Sequence, residues 1–486
     1  MVDLSFAGEI LKDRYNQAIG RPAEDPEFLL RLCLLQYLYG DSDRQVVENA
    51  RLNLAYKYFL GLAVDAEVPD YTTVSYFRAQ RLGEEKFRAI LEQIVRQCID
   101  KGLVKGKRQI IDSTPVFANI SLSSLSGLVR KCRENVLKTV AKQDTKIAEE
   151  LGAKELQNAT PVKFGSSEEA LQKEIEAAGT LLDKVTAELR AKKIKPTDEL
   201  RKDLGLLEKA VVDRAEHAKD KLISPVDPDA RTGKKTGTKW AGYKAHIVME
   251  EESGIITEVA TTPANATDGS QLRPLLKEQE KAHSLTPQEL TADKAYDWGE
   301  NLESLAANKT VANIALTKKF NPRSAGYFTV DDFLYDPENV KLMCPAGHIS
   351  TNCYSELPRY NYQLNKPGYA FQFKASLCNA CPLKPKCVKN REGRRVYISY
   401  YEPYFRMARE RLATEEGKQA YRNRYKIEQK MADLTRYCGL RRCRYRGLNR
   451  AGIHTLLATT VCNIKRMVKL LWGKPDNYYL ESPVAG

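Results

Sequence analysis

Two short apolar runs that each end on an aspartate constrain this chain more than any other feature. In LTADKAYD, residues 290–297, an apolar lead-in stops at Asp293 and a lysine, a tyrosine and a second acid follow. In GKRQIIDSTPV, residues 106–116, Gln109 to Ile111 reads as a short strand ending on Asp112, with Pro115 closing it. One strand-end acid says little, because aspartates also cap helices and turns. Two of them, far apart in sequence, raise the question of a third acid placed to meet them.

The segments between and around them set the architecture. YKAHIVMEE and IITEVATTP read as two strands joined by a tight Glu-Ser-Gly turn, hence a hairpin. DGSQLRPLLKEQEKAH reads as a helix, and VANIALTKK as a further strand after Asp293. A strand, a long insert, a hairpin, a helix and two more strands predict a mixed α/β sheet. The insert is residues 125–222. Leu171, Ile175, Ala178, Leu182, Val185 and Leu189 recur three and four apart, and Leu200, Leu204, Leu207, Val211, Ala215, Ala218 and Leu222 nearly repeat the pattern. A weaker stripe runs through Val129, Cys132, Val136, Val140, Ile147 and Leu151. With a capping box at Ser166–Glu169, this predicts a helical hairpin or three-helix unit whose charges form a solvated face.

Residues 1–105 read as helical, with a capping box at Ser42 and Gln45. Short helices, a turn at Pro69–Asp70 and a last helix carrying Arg78 and Arg81 fit a helix-turn-helix-like module or a plain bundle. Residues 326–400 are rich in aromatics, prolines and cysteines. From Tyr401 the chain is helical again, with a basic loop at 441–450 and a last apolar helix from about Ala451 to Trp472. The expected organisation is a helical N-terminal DNA-binding domain (1–105), a catalytic core (106–124, 223–325 and 401–475), a helical insert (125–222) and a cysteine-rich insert (326–400).

At 486 residues the chain exceeds one ordinary core. Its net charge of +14 points to a polyanionic partner, nucleic acid above all. No stretch is apolar enough to span a membrane, and the N-terminus lacks the pattern of a signal peptide. A cytoplasmic, reducing location follows, in which the 11 cysteines are better read as thiols or metal ligands than as disulfides.

The third acid comes from AYRNRYKIEQKMADL. Ile427, Met431, Leu434 and Cys438 form an apolar stripe, and Tyr421, Arg424 and Glu428, spaced three and four apart, share one helical face. Glu428 flanks the stripe and needs a cation, either Arg424 or a metal shared with Asp112 and Asp293. Three convergent carboxylates suit two magnesium or manganese ions, which can clamp the attacking and leaving oxygens of a phosphodiester. The basic loops would hold the DNA backbone, through Arg231, Lys234, Lys235 and Lys239 in the first and Arg441, Arg442, Arg444 and Arg446 in the second.

The order of acids and elements is that of an RNase H-like nuclease core. On IIDSTPV, DPDARTGKKTGTKWAGYKAHIV, VATTPANATD, LTADKAYD and YRNRYKIEQKMADLTRYCGLRRCRYRGL, the chain resembles the DDE transposases of bacterial insertion sequences. The resemblance implies metal-dependent cleavage of double-stranded DNA at the element's terminal repeats, then attack of the freed 3′-hydroxyls on target DNA. It also implies a homodimer on paired ends and a nucleoid-associated protein. The family's lysine after the glutamate is replaced by Thr435, which passes its contact to Arg436, and Ala295 stands where a glycine is common.

LCNACPLKPKC supplies Cys378, Cys381 and Cys387, and Cys344 lies upstream, which is tetrahedral zinc spacing. His348 and Cys353 are reserve ligands, and the zinc is expected to staple an insert too small for its own core. Cys33, Cys98, Cys438 and Cys462 read as core, and His217, His246, His283 and His454 show no ligand spacing. The competing readings are a non-catalytic DNA-binding descendant of a transposase, a nuclease that cuts without joining, and a coiled-coil scaffold.

Overall fold

The computed structural model describes residues 2–14, 24–152, 167–215, 218, 220–235, 237–317, 326–356 and 368–473. Its centre is a six-stranded sheet of β1 (Arg108–Phe117), β2 (Arg231–Lys235), β3 (Thr238–Glu250), β4 (Ile256–Pro263), β5 (Glu289–Ala292) and β6 (Val311–Ile314). The path is β2-β3-β1-β5-β6, and β4 pairs with β3. β3 runs antiparallel to β1, β2 and β4, whereas β1, β5 and β6 are parallel. The expected mixed α/β sheet is therefore present, hairpin included. No described helix is long and apolar enough to cross a membrane.

One expectation about β1 is corrected. The strand does not stop at Asp112; it stays paired with β3 from Gln109 to Phe117, through Pro115. The reason lies on its other edge, where β5 covers only Arg108 to Ile111. The Phe117 N–H points to that open edge, where it donates to the Arg441 carbonyl at 2.9 Å. Pro115, two residues earlier, faces the same edge, so its missing N–H breaks no ladder bond.

Helices cover both faces. Ile110, Tyr243, Ala245, Ile247 and Met249 share one core with the N-terminal helices and with the helices Tyr425–Tyr437 and Leu448–Trp472. Ile111, Val248, Leu290 and Ala292 face the opposite way, against Leu272–His283, Gly299–Ala307 and Glu402–Ala413. The N-terminal helices thus share the sheet's core and have none of their own. His454 fixes that joint: its Nδ1 accepts from the Tyr37 hydroxyl at 2.8 Å and its Nε2–H points at the Leu440 carbonyl. Arg444 lies over the Tyr37 ring and donates to the carbonyls of Asp41 and Gln36.

The helical insert folds on itself. Leu125–Gln143, Thr145–Glu150, Glu168–Ala191 and Asp198–Ala215 enclose a separate core that includes Val129, Cys132, Val136, Leu171, Val185, Leu200 and Leu207. Not all its charges are solvated, since buried Glu174 accepts from Arg130 at 2.9 Å and Arg133 at 2.6 Å. Ser167 caps the third of these helices; the expected box at Ser166 lies outside the described residues, as does His217.

Residues 326–356 and 368–400 form two small sheets, β7 (Leu334–Asp336), β8 (Lys341–Met343) and β9 (Ile349–Ser350), then β10 (Cys353–Glu356), β11 (Gly368–Gln372) and β12 (Arg395–Ile398). Contrary to expectation, this insert has a core, built from Phe333, Leu342, Phe371, Phe373, Val396 and Ile398.

The stretch read as a first basic loop is the β2–β3 hairpin. Lys235 pairs with Thr238, four residues beyond Gly242, and Gly242 lies opposite Phe117. A straight hairpin would carry Lys235 about 25 Å past Ser113. Instead the Lys235 Nζ lies 3.3 Å from the Ser113 carbonyl, so the hairpin curls back over the sheet. Gly242 sits at the bend with φ +147°, and a Cβ there would lie 2.3 Å from the Val116 carbonyl.

Two outcomes follow. Gly242→Ala should destabilise the fold by about 2 kcal/mol or more, seen as a lower urea midpoint. Burial holds His246 and His454 down at about 4, against about 6.5 in an unfolded chain. Between those values the unfolded state binds protons that the folded state does not, so stability falls as pH drops from about 6.5 towards 4. Each pKa unit is worth about 1.4 kcal/mol per histidine, with Asp112, raised to about 6, acting in the opposite direction; a His454→Gln variant whose urea midpoint follows the wild type's pH profile would contradict the assignment.

Candidate active site

Asp112 sits in the middle of β1 with 4% of its surface exposed. Its Oδ1 accepts the Ser113 N–H at 2.7 Å, and its Oδ2 faces the Arg424 Nη1 at 3.2 Å. Burial pushes its pKa up to about 6; Lys235, the Ser113 N–H and Arg424 pull down against it, while Asp293 pushes up. The carboxylate is thus buried with less cationic compensation than it needs.

Asp293 follows β5 directly. Because Ile111 pairs with Ala292 in parallel register, Asp112 and Asp293 leave adjacent strands at the same level. Neighbouring strands lie about 4.8 Å apart. Asp293 also caps the following turn, its Oδ1 accepting from the Ala295 N–H at 2.8 Å. Three residues on, fully buried Tyr296 has the carboxylates of Asp112, Asp268 and Asp293 for electrostatic neighbours, and its hydroxyl has no hydrogen-bond partner among the described residues.

The third acid arrives on the helix Tyr425–Tyr437, whose stripe of Ile427, Met431, Leu434 and Cys438 is buried as expected. Arg424 precedes this helix. Its Nη2 pairs with Glu428 Oε1 at 2.8 Å, so one guanidinium spans Asp112 and Glu428. Glu428 is more open than its pattern suggested, with 55% of its side chain exposed. Tyr421 belongs to a separate helix, Glu415–Arg422, so the three residues do not share one continuous helix. Glu251 fixes the break: this buried carboxylate accepts from Asn423 Nδ2 at 2.7 Å and from Lys426 Nζ at 2.8 Å. Nothing in the sequence singled out Glu251, one of three consecutive acids in a turn.

Among the described residues, no group of three or more His, Cys, Asp or Glu side chains is placed to hold a metal ion. The structure sets Asp112 and Asp293 on neighbouring strands and links Glu428 to Asp112 through Arg424. In the cysteine-rich insert, Cys344, Cys378, Cys381 and Cys387 border one recess, with His348 beside them. The Arg394 N–H points at the Cys378 sulfur at 3.4 Å. Burial raises the Cys387 thiol, and the three other thiols add to the rise. Cys353 lies in β10, paired with Phe371.

The predicted DNA contacts divide. Arg78 is buried, bidentate to Asp43 at 2.9 Å and stacked on Tyr445, so it is structural in this fold. Arg81 donates to the Arg14 carbonyl and lies over Tyr76. Arg231 is held by Asp220 and two carbonyls, and Arg444 by the joint around Tyr37. Lys234, Lys235, Lys239, Arg436, Arg441, Arg442 and Arg446 are exposed. Thr435 spends its hydroxyl on the Met431 and Ala432 carbonyls, which leaves Arg436 as the outward cation.

No curated protein and no solved structure matches this chain. A family model described as a transposase domain (DUF772) matches residues 1–80. A second, described as the transposase DDE domain, matches residues 210–464, which takes in Asp293, Arg424 and Glu428 while Asp112 precedes it. As that match spans more than half of the chain and the fold is a mixed sheet of RNase H-like layout, the protein belongs to the DDE transposases of insertion sequences.

Proposed function

We propose that this transposase cuts DNA at the ends of its insertion sequence and joins the freed 3′-hydroxyls to target DNA, using Asp112, Asp293 and Glu428. The observation that carries the reading is the level placement of Asp112 and Asp293 on adjacent parallel strands, with Arg424 tying Glu428 to the first of them. A buried carboxylate raised to about 6 beside a second carboxylate fits hard, oxygen-seeking divalent ions. Magnesium or manganese held by the three acids would supply the charge that activates water or a 3′-hydroxyl and stabilises the departing oxygen.

The chain's own groups do the rest. Arg424 and Lys235 offset the acids' charge while no substrate is present. Both can turn to a DNA phosphate, the nearest competing anion, which leaves Asp112 and Glu428 open to a cation. Lys234, Lys239, Arg436, Arg441 and Arg442 supply the outward charge that holds the backbone. The protein would act as a homodimer on paired ends, close to the chromosome. A second reading, a DNA-binding protein without catalysis, is favoured by one observation: Arg424 already pairs with both Asp112 and Glu428.

The readings part in one assay, on a duplex carrying the ends of the element that encodes the protein. With Mg2+ or Mn2+ the wild type should release 3′-hydroxyl ends and join them. Asp112→Asn, Asp293→Asn or Glu428→Gln should lower the rate by about a thousandfold with DNA affinity kept. Tight binding without cutting by the wild type would establish the second reading.

The recess bounded by Cys344, Cys378, Cys381 and Cys387 would suit a structural Zn2+, because four soft sulfurs border it and an N–H already faces one of them. Purified protein should carry one zinc per chain by elemental analysis. Cys378→Ser or Cys381→Ser should lose it and expose residues 326–400 to proteolysis, with the sheet core intact. Full occupancy in both variants would rule this ligand set out.

A further inference from the structure

The helical insert leaves the core after β1 and returns before β2. A crevice opens between its two connections, lined by Asn119, Ser121, Ser123, Lys131, Ser224 and Arg446, with Ile120, Ile223, Pro225 and Val226 completing the wall. Polar groups dominate its chemistry: three hydroxyls, one amide and two cations. Lys131, on the insert's first helix, places its Nζ 2.7 Å from the Ser123 hydroxyl. Arg446, from the basic loop, places its Nε 3.1 Å from the Asn119 carbonyl. Two acids follow the insert's return connection, and both accept hydrogen bonds from neutral groups of the core. Asp227 accepts from the Tyr243 hydroxyl and the Gly447 N–H, and Asp229 from the Leu448 N–H. The lining itself therefore holds two cations and no carboxylate.

Its position along β1 matters as much as its lining. Cations meet this strand and its continuation at successive points. Lys235 reaches the Ser113 carbonyl, the Arg441 guanidinium lies over the Phe117 ring, and Arg446 reaches the Asn119 carbonyl. Seven residues separate Asp112 from Asn119, a span of about 23 Å for extended chain. That is less than one turn of duplex DNA, about 34 Å. A backbone whose scissile phosphate lies at Asp112 could follow these cations and reach the crevice within one turn.

We infer that the crevice seats a backbone phosphate of the DNA, with Lys131 supplied by the helical insert and Arg446 by the core. The insert thereby closes on the substrate as one jaw of a clamp. This rests on the transposase reading and assigns that reading's DNA a contact from the insert.

The test uses the full-length protein and a duplex of the element's end, with affinity measured against salt concentration. Each lost phosphate contact lowers the slope of log K against log salt by about 0.9. Lys131→Ala should lower the slope by about that amount and weaken binding several-fold at fixed salt, with an unchanged melting temperature. Ser121→Glu, which places an anion in the crevice, should weaken binding further. Lys142→Ala is the control, an exposed lysine on the same helix paired with Glu199. If wild type binds DNA and Lys131→Ala behaves as the control does, the phosphate seat is overturned and the transposase reading stands. If inorganic phosphate raises the melting temperature of wild type but not of Lys131→Ala, while the DNA slope is unchanged, the crevice is a free-anion site and the DNA assignment fails. Absence of DNA binding by wild type overturns both.

Discussion

The pairing of β1 with β3 is the constraint on which the site depends. It holds Asp112 in mid-strand, sets the level of Asp293 through β5, and presents the open edge where the Arg441 segment docks. Yet its partners are separated by the helical insert and the hairpin's first strand. Closing so long a loop costs only about 0.6 kcal/mol more for each doubling of length. The insert lowers even that cost, because its own core draws its entry and exit together before β3 has to find β1. A long insertion at this point is therefore compatible with a sheet that must form around it.

The charges around Asp112 form one coupled unit. Burying a carboxylate is unfavourable unless a cation or hydrogen bonds compensate, and Asp112 has a second carboxylate beside it. Arg424 answers this from the glutamate helix and Lys235 from the curled hairpin. Both arrive on elements with a second anchor, Glu251 beneath the break before the helix and the Gly242 bend beneath the hairpin. The site thus has fixed acids and replaceable cations, which suits a centre that exchanges side-chain cations for metal and phosphate.

Much of this was legible in the sequence, for stated reasons. The hairpin, the apolar stripe ending at Cys438 and the insert's first heptad seam show through because their periodicity is local; the second seam holds only to Ala215, where its helix ends short of Ala218 and Leu222. Asp293 at a strand end was legible because the apolar run before it is short and uninterrupted. The extent of β1 was not, because whether Pro115 is tolerated depends on which edge lacks a neighbour, a property of the sheet and not of the strand. Arg78 and Arg444 looked like DNA contacts because arginines in basic stretches generally face solvent. Their partners, Asp43 and the ring of Tyr37, lie 35 and more than 400 residues away, beyond any local pattern.

The same reasoning separates the two basic stretches by role. A cation held by a buried carboxylate or a core ring is fixed by folding and contributes to the fold's cohesion. A cation that meets only a backbone carbonyl or an exposed ring keeps a solvated head and can be shared with a phosphate. Arg78, itself buried, and Arg444, over the buried Tyr37 ring, belong to the first kind; Arg441 and Arg446 belong to the second. The second kind meets the end of β1 and its continuation, at Phe117 and Asn119, which is where the proposed DNA path would run.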